Sequence, residues 1–289
     1  MRALERWTPY AVYPMVMGAG IALHRSLLAQ GTPLAWSTIV PVVLGMASVA
    51  WLERRMPHRR EWRAYGGDVP TDLAYLVVVQ AVLPRVLSFL AALSLARWME
   101  GSAFGAAALW PGQLPVGVQV LIMVLAADFL RYWFHVLSHH HPLFWRLHAV
   151  HHSSERLYWL NVGRFHPLEK SLQFLLDALP FIVLGVSAEV LALYFVFYSL
   201  NGFFQHSNVD LRMGFLNYII SSAELHRWHH SRLPAESNTN YGNNLIVWDL
   251  VFGTRFFPAG RKVGELGLAR RDYPQNFLGQ LRAPSPVRD

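Results

Sequence analysis

The stretch VGVQVLIMVLAADFLRYWFHVLSHHHPLFWRLHAVHH, residues 116–152, decides how this chain is read. Its first part, Val116 to Phe134, is almost wholly apolar, and crossing a bilayer core takes about 20 such helical residues. The run leads directly into His135-Val136-Leu137-Ser138-His139, followed by His148-Ala149-Val150-His151-His152. Helical positions three and four apart are neighbours, about 5–6 Å apart at Cβ. His135 and His139 therefore share a face, and His148 aims with both His151 and His152. Adjacent residues diverge by about 100°, so His151 and His152 can serve different metals. A third group, His226-Arg227-Trp228-His229-His230, repeats the spacing. At 14 histidines in 289 residues, a chance H-x-x-H-H is expected roughly 0.04 times per chain. Eight imidazoles from three helical segments suit two ions better than one.

The rest of the chain fits a membrane protein. Hydrophobic residues make up 53% and charged residues 15%, the latter well below the roughly 25% of soluble domains. Besides Val116 to Phe134, the runs Tyr10 to Leu28, Leu34 to Leu52 and Leu73 to Trp98 are long enough to span. A further apolar region, Ser171 to Phe204, is interrupted by Pro180 and by Gly185-Val186-Ser187, which predicts a tilted or re-entrant hairpin. The expected fold is all-α: about four transmembrane helices, this hairpin, and a cytoplasmic histidine-rich helical cap. The expected division is a transmembrane hairpin with a basic loop over 1–67, a catalytic domain over 68–257, and a polar tail over 258–289, loose from about Pro274.

Charge sets the orientation. The loop after the second run holds Arg54, Arg55, Arg59, Arg60 and Arg63, whereas the Ser26 to Pro33 and Glu100 to Leu114 connections carry no lysine or arginine. The positive-inside bias then puts the amino terminus and every histidine group on the cytoplasmic face. Arginine far outnumbers lysine, which suggests a GC-rich bacterial source, and the expected location is a bacterial inner membrane. The net charge of +7 flanks apolar runs instead of forming a stripe, which argues against nucleic acid. Without cysteine a metal must be held by imidazole or oxygen. His24 and His58 stand alone and are read as structural; His140 and His141, on other faces before Pro142, are set aside.

Beyond the histidine groups, the sequence resembles the fatty acid hydroxylase and sterol desaturase superfamily. The resemblance rests on Asp128-x-x-x-Tyr132-Trp133-x-His135-x-x-x-His139, His148-x-x-His151-His152-Ser153-Ser154-Glu155 and Arg164-Phe165-His166-Pro167-Leu168-Glu169. It continues through Asn201-Gly202-Phe203-Phe204-Gln205-His206, His226-x-x-His229-His230, Asn240-Tyr241-Gly242-Asn243-Asn244 and Trp248-Asp249-Leu250-Val251-Phe252-Gly253-Thr254. It implies a non-haem centre of two iron ions, replaceable by zinc in a purified sample, that uses O₂ and external electrons to hydroxylate or desaturate a lipid C–H bond. Its metal ligands map to His135, His139, His148, His151, His152, His226, His229 and His230, plus His206. Some relatives carry another histidine where this chain has Gly202. A His-Pro-Gly-Gly cytochrome motif is absent, so the electron donor (a reductase, ferredoxin or cytochrome on the cytoplasmic side) is separate.

Neutral imidazoles bring no charge to balance the metals. Asp128, Glu155 and Asp249 are candidates to support the site, with Glu169, Glu224, His166 and Asn201 around it. Asp128 lies seven residues before His135, inside an apolar run, where an acid is costly and functional by default; it would orient a ligand imidazole or pair with Arg131. Arg85, in the third run, calls for Asp72, Asp177 or Glu189. Trp228, Tyr158, Trp159 and Trp248 fit a lipid channel or an interfacial belt, and Tyr241-Gly242 a turn closing the site. Two other readings compete. A zinc membrane hydrolase would want an H-E-x-x-H helix, which is missing. A haem carrier or metal transporter would place its histidines within the spans or at the midplane.

Overall fold

The computed structural model describes residues 2–63, 67–88, 90–91 and 109–282, all-helical apart from isolated bridges. Helices α1 (Arg2–Ala29) and α2 (Leu34–Arg55) form an antiparallel hairpin. Gly31, at φ 77°, turns the chain between them, a left-handed conformation that favours glycine. Helix α3 (Val69–Ser88) winds as a π-helix over Tyr75–Val82. Helix α4 (Val116–His140) is the longest of the apolar helices. At 1.5 Å per residue its 25 residues extend about 37 Å, more than the roughly 30 Å hydrocarbon core. Measured from Val116, His135 therefore reaches the edge of the hydrocarbon and His139 emerges from it.

Pro142 ends α4, because the residue before a proline avoids the α conformation. Helix α5 (Pro142–His152) then restarts, with the His141 ring accepting from the Leu143 N–H. Helix α6 (Pro167–Asp177) begins the same way, its His166 ring accepting from the Leu168 N–H. The interrupted apolar region becomes α6, the short α7 (Leu179–Val183) and α8 (Ala188–Gln205), with breaks where Pro180 and Gly185 to Ser187 predict them. Helix α8 packs against α1, α2 and α4. Its Leu200 occupies the notch left by two glycines: a Cβ would lie 2.5 Å from the Leu200 side chain at Gly20 and 2.0 Å at Gly45.

Among the described residues three helices are long and apolar enough to cross a membrane: α2, α3 and α4. The expected first span, Tyr10 to Leu28, lies within α1 and is not among these three. Helix α1 does form, but Pro14, His24 and Arg25 dilute the apolar run. Residues 92–98 of the third expected span, and residues 100–108 of the connection after it, lie outside the described residues.

The remaining chain caps the end of the bundle where α2 and α4 finish. It contains α9 (Ala223–His229), α10 (Pro234–Ser237), α11 (Val247–Phe252) and α12 (Phe277–Arg282), joined by loops and three single bridges. The expected loose end is packed as far as Arg282. Phe277 meets the Tyr75 ring edge-on at 4.7 Å, and the buried Gln280 amide donates to Ser153 Oγ at 2.9 Å.

Candidate metal centre

Nine histidines converge beneath the bundle in two adjoining groups. His135, His139, His148, His152 and His229 form one; His151, His206, His226 and His230 form the other, and within each the ligand atoms lie within 4.8 Å of one another. The adjacent pairs split between the groups. His151 and His152 point into different clusters, as do His229 and His230, because consecutive helical side chains diverge by about 100°. Four segments supply them: the end of α4, α5, the residue after α8, and α9 with the residue following it. Ser222 caps α9, its hydroxyl accepting from the Leu225 N–H.

The hydrogen bonds on the outer ring atoms fix the tautomers. His135 Nδ1 donates to the Tyr241 carbonyl at 2.7 Å, His148 Nδ1 to Glu169 Oε1 at 2.7 Å, and His229 Nδ1 to the Thr239 carbonyl at 2.8 Å. His151 Nδ1 donates to the Arg164 carbonyl at 3.2 Å, His206 Nδ1 to Asn161 Oδ1 at 3.0 Å, and His139 Nδ1 to Asn238 Oδ1 at 3.1 Å. The Asn161 amide is itself fixed, because its Nδ2 donates to Ser154 Oγ and the Arg156 carbonyl. Six rings thus carry their proton outward and turn a bare Nε2 lone pair inward.

Those lone pairs face one another at short range. His135 Nε2 lies 3.0 Å from His148 Nε2, although both rings have already placed their protons on Nδ1. In the other group the inward Nε2 of His206 lies 3.0 Å from His226 Nε2, and that of His151 3.2 Å from His230 Nε2. Bridging the His135–His148 pair with a proton would bury an imidazolium among the other rings, which is costly. A cation between them resolves the repulsion. Metal–imidazole bonds of roughly 2.1 Å leave neighbouring ligand nitrogens roughly 3 Å apart, so the residues present fit metal ions. Burial, reinforced by neighbouring imidazoles, holds His151, His152, His226 and His230 well below the ordinary imidazole range. Burial likewise takes His206 down to about 3. These rings are neutral at physiological pH, the form that binds metal.

The surrounding acids divide sharply. Glu169, 2% exposed, holds His148 and is itself held by Gln173 Nε2 at 3.0 Å. Asp128 neither touches a cluster imidazole nor pairs with Arg131. It accepts the Asn244 N–H and side-chain amide, each at 2.8 Å, and the Leu245 N–H. Arg131 reaches Asp177 instead, at 2.9 Å. Asp249 accepts the N–H groups of Tyr241 and Gly242 at 2.7 Å each, and burial raises it to about 6. Both aspartates therefore pin the 241–245 loop whose Tyr241 carbonyl orients His135.

Other expected supports sit elsewhere. Glu155 follows the end of α5, and its side chain turns to solvent, 55% exposed, in an ion pair with Arg271. Glu224 precedes His226 by two helical positions and so faces away, binding the Met213 N–H at 2.6 Å. Asn201 is engaged by the Tyr13 hydroxyl at 2.8 Å, and His166 caps α6. Arg85 donates to the Ala81 carbonyl, Asp72 and Asp177 being paired with Arg164 and Arg131. Tyr158 donates to Asp72, the Trp159 N–H to Glu53, and Trp228 packs against Phe256; Trp248 lies against Phe129. The sequence reading missed Asn161, Asn238 and the buried Arg164–Asp72 pair. Only Arg164 lay in a quoted motif.

An all-helical chain with three candidate membrane helices and two buried polyhistidine clusters defines a multi-pass membrane protein equipped to bind metal. The fatty acid hydroxylase family profile matches residues 120–254. The ornithine lipid hydroxylase OlsE of Rhizobium tropici is 32% identical over 277 residues, covering 94% of this chain and 82% of that protein. The alkylglycerol monooxygenases of Xenopus tropicalis and Homo sapiens are 33% and 34% identical over 139 and 130 residues. Those matches cover 48% and 45% of this chain but only 30% and 29% of the two proteins. No solved structure matches the chain. The chain belongs to the fatty acid hydroxylase family and is a membrane hydroxylase.

Proposed function

We propose that the two clusters hold a pair of iron ions, one in the five-histidine group and one in the four-histidine group, and that the enzyme hydroxylates an amino-acid-bearing membrane lipid of the ornithine-lipid type. The carrying observation is the pair of Nε2 atoms of His135 and His148, 3.0 Å apart with both ring protons committed outward. The long match to OlsE supports the substrate class. Iron held there would couple O₂, two external electrons and two protons to insertion of one oxygen atom into a C–H bond, the other leaving as water. The chain's part is positioning. Glu169 and the Tyr241, Thr239 and Arg164 carbonyls aim the rings, while the surrounding core excludes bulk water.

The clusters lie at the cytoplasmic face, beyond the end of α4 and on the side of the Arg54 to Arg63 loop. A cytoplasmic one-electron donor would reach the clusters at that face. Helices α6 to α8 form a hairpin that returns to this face. Iron analysis with Mössbauer spectroscopy on purified protein tests the centre: about two coupled irons per chain are expected. The reading fails if the protein holds no transition metal, or if His151→Ala and His229→Ala leave metal content and lipid oxidation intact. Lipid extracts of a deletion strain should lack a species heavier than its precursor by one oxygen.

A further inference from the structure

We propose that α11 and the turn Gly214–Tyr218 form a lip immersed in the bilayer, so that the cap carrying the clusters is docked onto lipid through its own surface as well as through the spanning helices. The ruler is α4. Phe129 and Trp133 lie about 20 and 25 Å along it from Val116, inside a hydrocarbon layer of roughly 30 Å that begins there. The Trp248 ring packs on Phe129 at 4.8 Å, and the Phe252 ring on Trp133 at 4.9 Å. Helix α11 therefore lies alongside the last third of the membrane layer, although it is far too short to span.

Its outward face is apolar, with Val251 62% and Phe252 41% exposed. The neighbouring turn adds Phe215 at 73%, Tyr218 at 57% and Ile219 at 45%. The two pieces are clasped into one patch: the Ile246 N–H donates to the Ile219 carbonyl at 3.0 Å, and Arg255 Nε to the Asn217 carbonyl at 3.2 Å. Asp249, the one charge of α11, is fully buried and committed to the Tyr241 and Gly242 N–H groups. The exposed face thus has no charge to keep it in water. At the rim the Arg255 guanidinium stacks on Tyr218 at 4.3 Å, the arrangement of an aromatic and a cation at a lipid headgroup boundary. A patch of this kind, continuous with the lipid-facing surface of α4, fits a bilayer better than a water-borne partner. Because the same helix holds the loop that orients His135, lipid contact and the metal centre share one mechanical element.

The inference rests on α4 spanning the membrane and not on the identity of metal or substrate. The chain lacks cysteine, so single cysteines introduced by Val251→Cys, Phe215→Cys and, as a water-facing control, Lys262→Cys can each carry an NBD fluorophore. The protein is placed in vesicles of phosphatidylethanolamine and phosphatidylglycerol, with or without doxyl-labelled phosphatidylcholine. At positions 251 and 215 the doxyl lipid should quench emission at least twofold more than iodide does, with the reverse at 262. Iodide quenching at 251 and 215 equal to that at 262 would overturn the proposal. So would protection from both quenchers with energy transfer between copies, which would make the patch a protein interface. Metal content measured on the same samples reports on the centre separately.

Discussion

Glu169 and His148, 21 residues apart in sequence, meet at 2.7 Å with both side chains 2% exposed. This contact gives one ligand ring its tautomer and brings a negative charge beside a cluster that otherwise offers only neutral nitrogen. Replacing Glu169 with Gln keeps a group of similar size but removes that charge. Metal affinity of the five-histidine group should fall about 10–100-fold, with helix content unchanged by circular dichroism. Chelator competition checks this: one ion per chain should leave early and the other should stay. Equal loss of both ions would contradict a role confined to His148.

Asp128 carries a different weight. Its carboxylate receives two backbone N–H groups and one amide from Asn244 and Leu245, more than a hundred residues away in sequence and fully buried with them. Asp128→Ala would strand three donors, each costing about 1–3 kcal/mol. Thermal unfolding in detergent should show a loss of about 3 kcal/mol or more, lowering the midpoint by roughly 6 °C. Asp128→Asn should cost less, because its amide oxygen can keep both backbone N–H bonds while its NH₂ faces only the Asn244 side-chain amide.

Local spacing explains what was legible in advance. The i, i+3 and i+4 histidines and the Val116 to Phe134 run are periodic signals, and each depends only on neighbouring residues. The partners of those histidines are not local. Three of the six outer acceptors are main-chain carbonyls, of Tyr241, Thr239 and Arg164, and a carbonyl leaves no mark on sequence. Asn161 looks like any loop asparagine until His206 arrives beside it. Glu155 is an acid close to the second histidine group in sequence, yet α5 ends at His152 and the chain turns the Glu155 side chain outward. For Asp128 the cost of an intramembrane acid was legible; its partner was not, since 116 residues separate it from Asn244.

Metal removal should loosen the cap in particular. With the ions gone, the facing Nε2 lone pairs of His135 and His148 repel at 3.0 Å. A ligand that binds only the folded state stabilises it by mass action, about 4 kcal/mol at a thousandfold excess over Kd. Chelation should therefore lower the unfolding midpoint by several degrees, and restoring ferrous iron should return it. Hydrogen exchange should rise first in residues 226–246, ahead of α1 and α2, which hold no ligand.

Gly242 is where the loop has no room to compromise. A Cβ there would stand 2.0 Å from the Leu245 carbonyl oxygen and 2.9 Å from Asp249 Oδ2. The first obstacle is backbone, so Gly242→Ala forces the loop itself to shift. The Gly242 N–H bond to Asp249 would be lost and the Tyr241 carbonyl would move off His135 Nδ1, now 2.7 Å away. At Gly264 a Cβ meets nothing within 4 Å, making Gly264→Ala the matched control. Hydroxylation should fall at least tenfold in the first variant and stay near wild type in the second, with metal loss concentrated in the five-histidine group. Full metal loading in Gly242→Ala would mean that His135 is oriented by its neighbours in α4 and not by the loop.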